Sequence, residues 1–177
     1  MKTKSRIFLV GMMGAGKTTV GRQLAKRLGK TFHDADRDIE ERTGVSVAVI
    51  FEIEGEAGFR KRESDAIEQL TALDDIVLAT GGGAVLDPRN REHLSSRGFV
   101  IYLHALPAML WQRTRSDKSR PLLQAGDPRE RLESLYRLRD PLYREVADLV
   151  VDTGRQGIGP LLSQVLVRLD EACRLSA

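Results

Sequence analysis

The chain has 177 residues, 41% of them hydrophobic and 30% charged, with a net charge of +3; that is the length and composition of one globular domain with a substantial core. The positive excess is too small, and aromatic residues at 5% too few, for a nucleic-acid surface, while a mild positive balance suits anionic small molecules. Cys173 is the only cysteine and no apolar run approaches the length of a membrane span, which excludes an internal disulfide and a cysteine metal cluster and makes a cytoplasmic protein with no membrane partner the expectation.

Lys2 and Lys4 followed by Ile7-Phe8-Leu9-Val10 briefly resemble a secretion signal, but the apolar run stops at Gly11. It reads instead as a first strand. The next stretch, Gly11-Met12-Met13-Gly14-Ala15-Gly16-Lys17-Thr18, satisfies G-x-x-x-x-G-K-[ST], and Val20, Leu24 and Leu28 follow at helical spacing. Strand, glycine-rich loop and helix are the context in which this pattern cradles nucleotide phosphates. Successive backbone N–H groups turn into one concavity, and the helix N-terminus adds the positive end of its dipole. Lys17 then reaches the β- and γ-phosphates, and Thr18 faces Mg²⁺. The alternative, a glycine-rich turn in a βαβ unit with no ligand, leaves the agreement of every fixed motif position with its structural context as coincidence.

Gly29 marks the end of that helix, and Thr31 to Asp34 reads as a second strand running into Asp34-Ala35-Asp36. Polar helical sequence from Arg37 to Arg42 closes at Gly44. Ser46 caps a helix with Val47, Ile50 and Phe51 on its apolar face, which Gly55-Glu56-Ala57-Gly58 breaks. A further helix runs from Phe59 to Leu73 with Ala66, Ile67 and Leu70 inward. Arg60, Lys61 and Arg62 at its start oppose the helix dipole, which points to another job for these charges. Ile76 to Ala79 is a buried third strand ending in Thr80-Gly81-Gly82-Gly83, and Asp87-Pro88 opens a polar helix. Phe99 to Leu103 is the fourth strand, and Pro107 opens a helix with Met109, Leu110 and Trp111. Thr114 to Gly126 lacks periodicity and reads as a loop. Asp127-Pro128 caps a long helix with Leu132, Leu135 and Leu138 inward, which Pro141 kinks or ends. Leu149 to Val151 is the fifth strand, and Ile158, Leu161, Leu162, Val165 and Leu169 share one face of the last helix. No helix shows a second apolar face, so a monomer is expected.

Alternating strands and helices imply a parallel sheet with right-handed crossovers and ligands beyond the carboxyl ends of its strands. The P-loop, Asp34-Ala35-Asp36 and Gly81-Gly82-Gly83 follow strands one, two and three, so they converge on one rim. Asp36 either orients an acceptor hydroxyl and accepts its proton or simply caps the helix after it. Asp34 is the nearest source of a metal carboxylate, because the third strand lacks the terminal aspartate of a Walker B strand. Arg60 and Arg139 are either surface arginines or a paired fork for a carboxylate. Arg113, Arg115, Lys118 and Arg120 form either a solvated charge run or a lid that closes over phosphates. His33, His93 and His104 show no metal spacing.

Taken in order, the P-loop, Asp34-x-Asp36, Gly55-Glu56-x-Gly58-Phe59-Arg60, Ala79-Thr80-Gly81-Gly82-Gly83, Arg120-Pro121-Leu122-Leu123 and Arg139-x-Pro141-Leu142-Tyr143 make a chain that resembles the shikimate kinase family over nearly its whole length. The resemblance implies an α/β three-layer sandwich of the P-loop NTPase fold. Its five parallel strands have the order 2-3-1-4-5 with helices on both faces, in a single domain over 1–177 with a substrate-binding insertion at about 34–62 and a lid at about 113–126. It implies ATP-Mg²⁺-dependent phosphorylation of the shikimate 3-hydroxyl, within the chorismate route to aromatic amino acids. By the family pattern Gly14, Ala15, Gly16, Lys17, Thr18 and Thr19 hold the ATP phosphates and Thr18 ligates Mg²⁺. Arg113 and Gln156 match positions near the adenine. Asp36 contacts the shikimate hydroxyls, Arg60 and Arg139 bind its carboxylate with help from the Gly82 backbone, and Arg120 reaches the phosphates from the lid. Lys17, Asp36 and Arg120 are the catalytic set. Many members read Asp-Ser-Asp where this chain has Asp34-Ala35-Asp36; the missing hydroxyl is at the middle position, and no change of activity is expected from it. A gluconate kinase shares the P-loop and a hydroxy-acid acceptor, but lacks a reason for Arg60, Arg139 and the triple glycine together. A guanine-nucleotide switch needs Asn-Lys-x-Asp, whereas the only asparagine, Asn90, precedes Arg91.

Overall fold

In a computed structural model, which describes residues 5–117, 123, 126–154 and 156–174, the apolar runs form strands β1 (Arg6–Val10), β2 (Thr31–Asp34), β3 (Ile76–Ala79), β4 (Phe99–His104) and β5 (Leu149–Asp152). All pair in parallel in the order β2-β3-β1-β4-β5. Leu9 pairs with Ala79 on one side and with Ile101 on the other, which puts the carboxyl ends of the central strands at one rim. Ile7 to Val10, Ile76 to Ala79 and Val100 to Leu103 are buried without alternation, the mark of strands covered on both faces. Each large aliphatic side chain sequestered there contributes about 1.5–3 kcal/mol relative to exposure.

The helices are α1 (Lys17–Leu28), α2 (Ala35–Thr43), α3 (Val47–Leu70), α4 (Pro88–Arg97), α5 (Pro107–Thr114), α6 (Pro128–Val146) and α7 (Ile158–Arg174). The crossover from β1 to β2 runs one way across the sheet; those through α3, α4 and α6 run the other. Right-handed crossovers of opposite direction lie on opposite faces. Accordingly α1 packs with α7, while α4 packs with α3 and α6.

Local chemistry sets the helix boundaries. Asp34 caps α2, its Oδ1 accepting from the backbone N–H groups of Asp36 (3.1 Å) and Arg37 (3.2 Å). The capping role that Asp36 was open to thus belongs to Asp34. Ser46 caps α3 through Val49 N–H, and Asp87 and Asp127 cap α4 and α6 ahead of a proline in the first turn. Gly55, at φ 71° and ψ −178°, divides α3 into two helical segments at the predicted break.

Two expectations about α6 are corrected. Pro141 does not end the helix, which continues to Val146. Leu138 is 59% exposed, and Arg139, 1% exposed, takes the inward position. The buried face of α6 is Leu132, Leu135, Arg139, Tyr143 and Val146, a run of three- and four-residue steps into which Leu138 does not fit.

Candidate active site

At the carboxyl end of β1 the chain turns through Gly16, whose φ of 94° demands a residue without a side chain, and enters α1 directly. Lys17 Nζ donates to the carbonyls of Gly11 (2.7 Å) and Met12 (2.9 Å), laying the ammonium across the loop. Thr18 Oγ1 donates to Asp34 Oδ2 at 2.7 Å, while the other oxygen of Asp34 caps α2. One carboxylate thus ties the P-loop helix to the end of β2. Gly14, Gly16, Lys17, Thr18, Thr19, Asp34 and Arg113 share a cavity of about 360 Å³.

Arg113, in the last turn of α5, closes the far end of that cavity. Its guanidinium donates to the carbonyls of Gly14 (3.2 Å), Thr153 (2.9 Å) and Gly154 (3.0 Å) and to Thr153 Oγ1 (3.2 Å). It therefore clasps the P-loop to the connection after β5. Gln156 lies in that same connection, but its amide donates to Asp152 O and Gln164 Oε1, and it does not line the cavity. Ala15 is buried behind the loop. Arg120 lies outside the described residues.

A second cavity of about 370 Å³ opens beside the first. Its lining includes Asp36, Phe51, Phe59, Arg60, Glu63 and Arg139, and it shares Met13, Asp36, Gly81 and Gly82 with the phosphate cavity. Arg60 and Arg139, which are 79 positions apart in sequence (139 − 60), are thereby brought to one hollow. Gly81 allows this crowding: a Cβ there would lie 2.6 Å from Glu63 Oε2 and 2.9 Å from Asp36 Oδ1. Thr80 Oγ1 donates to Leu9 O at 3.0 Å and fixes the glycine run against β1.

The polar atoms of this hollow are incompletely satisfied. Asp36 Oδ1, Glu63 Oε2, Arg60 Nε and Arg139 Nε are buried and have no hydrogen-bond partner among the described residues. Buried polar atoms are almost always paired, so four orphans on one cavity mark it as built for a ligand with both hydroxyls and negative charge. Burial works against the Arg60 charge, yet Glu63 at 2.7 Å and Glu56 at 3.2 Å hold its pKa above the ordinary value. Arg139 is pushed below the ordinary value, first by burial and then by Arg60. Burial raises Glu63, against the pull of Arg60 and Arg139.

Asp36 is pushed up to about 7 from 3.8, first by burial, then by Glu63 and Asp34, with Lys17 opposing. Between those two values the folded chain holds a proton that the unfolded chain has released. The stability linked to that proton is complete below about pH 4 and is lost as pH rises through about 7, at no more than about 1.4 kcal/mol per pH unit. Asp36→Asn is therefore expected to melt near the wild-type temperature at or below about pH 4, and above it by a margin that grows from there to about pH 7 and then levels off. A melting-temperature gap that stays constant across this range refutes the shift.

A family model described as shikimate kinase matches residues 13–170. The chain belongs to the shikimate kinase family. It is 59% identical to the shikimate kinase of Burkholderia lata, over 95% of this chain and 91% of that protein. It is 62% identical to that of Aromatoleum aromaticum, over 90% and 91%. Among solved structures, the shikimate kinase from Acinetobacter baumannii in complex with shikimate superposes with a TM-score of 0.93 at 48% identity, covering 96% of this chain and 95% of that one. A gluconokinase from Sinorhizobium meliloti reaches a TM-score of 0.62 at 17% identity, over 100% and 99% of the two chains, and shares the fold alone.

Two residues of this shikimate kinase family member stand in the site without having been given a role from the sequence, although Tyr143 closes the Arg139-x-Pro141-Leu142-Tyr143 motif. Glu63 is 1% exposed and pairs with Arg60 one helical turn before it. Tyr143 is fully buried one turn beyond Arg139, and its hydroxyl donates to the Gly82 carbonyl. The available signal was spacing: each sits three or four residues from an arginine on the same helix, where side chains meet.

Proposed function

We infer that the chain transfers the γ-phosphoryl group of ATP to the 3-hydroxyl of shikimate, giving shikimate 3-phosphate and ADP, a step of the chorismate route to aromatic amino acids. The observation that carries this reading is the hollow itself. Two carboxylates and two guanidinium groups leave buried atoms unpaired in a space that shares a wall with the phosphate cradle. Arg60 and Arg139 take the acceptor carboxylate as a bidentate pair, with the Gly82 backbone beside them. Asp36 takes an acceptor hydroxyl, orients it toward the γ-phosphate and accepts its hydrogen bond.

On the donor side, the backbone of residues 14–19 and Lys17 hold the phosphates, and the clasped face of Arg113 lies toward the base, with Gln156 beyond it. The motif Arg120-Pro121-Leu122-Leu123 assigns Arg120 to the phosphates as part of a closing segment; of its expected range of about 113–126, Arg113 instead belongs to α5 and is clasped in place, and the acceptor arm spans about 34–62 of the same single domain. Thr18 and Asp34 supply hard oxygen donors at the mouth of the cradle, a donor set that suits Mg²⁺. When bound with ATP, Mg²⁺ neutralises charge on the phosphate oxygens. Transfer through a loose transition state asks the protein mainly for position and charge, which this arrangement supplies. A monomer in the cytoplasm completes the reading; the lone Cys173 suits a reducing compartment.

ADP release measured with ATP-Mg²⁺ and shikimate, then with gluconate, tests the assignment. Shikimate is expected to stimulate release far above background hydrolysis and gluconate to leave it at background. No stimulation by shikimate overturns the reading.

A further inference from the structure

We propose that the Tyr143 hydroxyl is a positioning group for the acceptor carboxylate, holding the Gly82 peptide and the Arg139 guanidinium in one fixed relation to each other and to the P-loop. The inference rests on the reading of Arg139 and Gly82 given above, and goes beyond it by naming what holds them.

Tyr143 stands one turn beyond Arg139 on α6, so the two side chains leave the helix on the same face. The tyrosine is 0% exposed. Its hydroxyl donates to the Gly82 carbonyl, and the buried phenol and the Arg139 guanidinium are close enough to influence each other's charge. The hydroxyl thus donates to one of the two groups assigned to the carboxylate and lies beside the other. Burial raises the phenol well above its ordinary pKa, so it stays protonated and keeps donating.

Gly82 is the junction. A Cβ built on it would lie 3.4 Å from Arg139 Nη1, 3.5 Å from Met13 N and 3.6 Å from Gly11 O. The arginine and the P-loop backbone both close in on the same face of this residue. A small rotation of the Gly82 peptide alters the spacing between acceptor anchor and phosphoryl donor, and the phenol is what restrains it. A misplacement of the order of 1 Å is enough to cost a phosphoryl-transfer enzyme heavily.

The general seat of α6 does not depend on this hydroxyl. Tyr102 OH donates to Asp140 Oδ1 at 2.7 Å, Arg144 pairs with Asp140 at 2.9 Å, and the Tyr102 and Tyr143 rings pack with centroids 5.0 Å apart. Ring packing and the Asp140 anchor both survive Tyr143→Phe. What that change removes is one oxygen, leaving the Gly82 carbonyl without its donor and the Arg139 guanidinium without the polar group beside it.

The test compares kcat/KM for shikimate with that for shikimate methyl ester, which presents no anion to the arginines. The wild-type enzyme is expected to prefer the acid strongly. Tyr143→Phe is expected to raise the shikimate KM about tenfold, to cut the acid-to-ester preference about tenfold, and to leave the ATP KM unchanged, the scale of one hydrogen bond. Asp140→Asn, which loosens α6 without touching Gly82 or Arg139, is expected to lower the melting temperature and keep the preference. In wild-type protein carrying ¹³Cζ-tyrosine at its three tyrosines, the Tyr143 signal is expected to move on addition of shikimate and to stay on addition of ADP-Mg²⁺. That measurement stands even if Tyr143→Phe does not fold. An unchanged preference in Tyr143→Phe, an equal loss in Asp140→Asn, or a Tyr143 signal indifferent to shikimate overturns the proposal. A wild-type enzyme that fails to discriminate acid from ester instead overturns the carboxylate site itself.

Discussion

Replacing Arg139 by alanine is expected to raise the shikimate KM by at least about 30-fold, the lower end of the 2–5 kcal/mol typical for losing one partner of a buried charged pair. The ATP KM is expected to stay within about twofold. The asymmetry follows from the geometry. Arg139 lines the acceptor hollow and not the phosphate cavity, and its Nε is buried without a partner among the described residues. A buried guanidinium in that condition, already disfavoured by its surroundings and by Arg60, gains most from an incoming carboxylate. Steady-state kinetics with each substrate varied in turn decide the matter, and equal damage to both KM values counts against the assignment.

Lys17→Ala is expected to act on the other quantity. On the role proposed for Lys17, the loss of its ammonium is expected to cost about 100- to 1000-fold in kcat, the scale of removing one preorganised donor from a charge-stabilising site. The shikimate KM is expected to change little, because Lys17 lies in the phosphate cavity and not in the acceptor hollow. The ammonium is held by the carbonyls of Gly11 and Met12. Alanine therefore removes both the charge and a brace of the loop, and a melting curve on the variant separates the two. A variant with intact kcat and a raised shikimate KM would reverse the roles given to Lys17 and Arg139.

Much of this was legible in the sequence because its signals were local. The P-loop carries strand, loop and helix in one contiguous stretch, and the caps at Ser46, Asp87 and Asp127 stand beside the helices they begin. Continuous apolar runs marked the central strands, and the strand order followed from the family resemblance. The misplacements share one cause. Periodicity treats an arginine or glutamate as a residue that points outward, yet Arg139 occupies a core position on α6, and Glu63 lies on the buried face of α3 with Phe59, Ala66, Ile67 and Leu70. Charges are tolerated in such places only when paired or waiting for a ligand. Leu138 was drawn inward because it is apolar and three residues after Leu135, whereas the inward position four residues after Leu135 is taken by Arg139. The partnership of Arg60 with Arg139 was left open by spacing and came only from the family resemblance, because it is made by the sheet order, which sets the ends of β1 and β3 side by side and folds α3 and α6 over them.

The partition between the two cavities is thin. It consists of Met13, Asp36, Gly81 and Gly82, contributed by three different rim segments, with little side-chain bulk from the glycines. A compound joining a carboxylated polyol ring to a polyphosphate by a short tether therefore has a continuous path from one chamber to the other. Bound at both ends, it places the second group at high effective concentration once the first is seated, so its affinity exceeds that of either half. The same thinness that lets a phosphoryl group pass makes this enzyme a natural receptor for bisubstrate inhibitors.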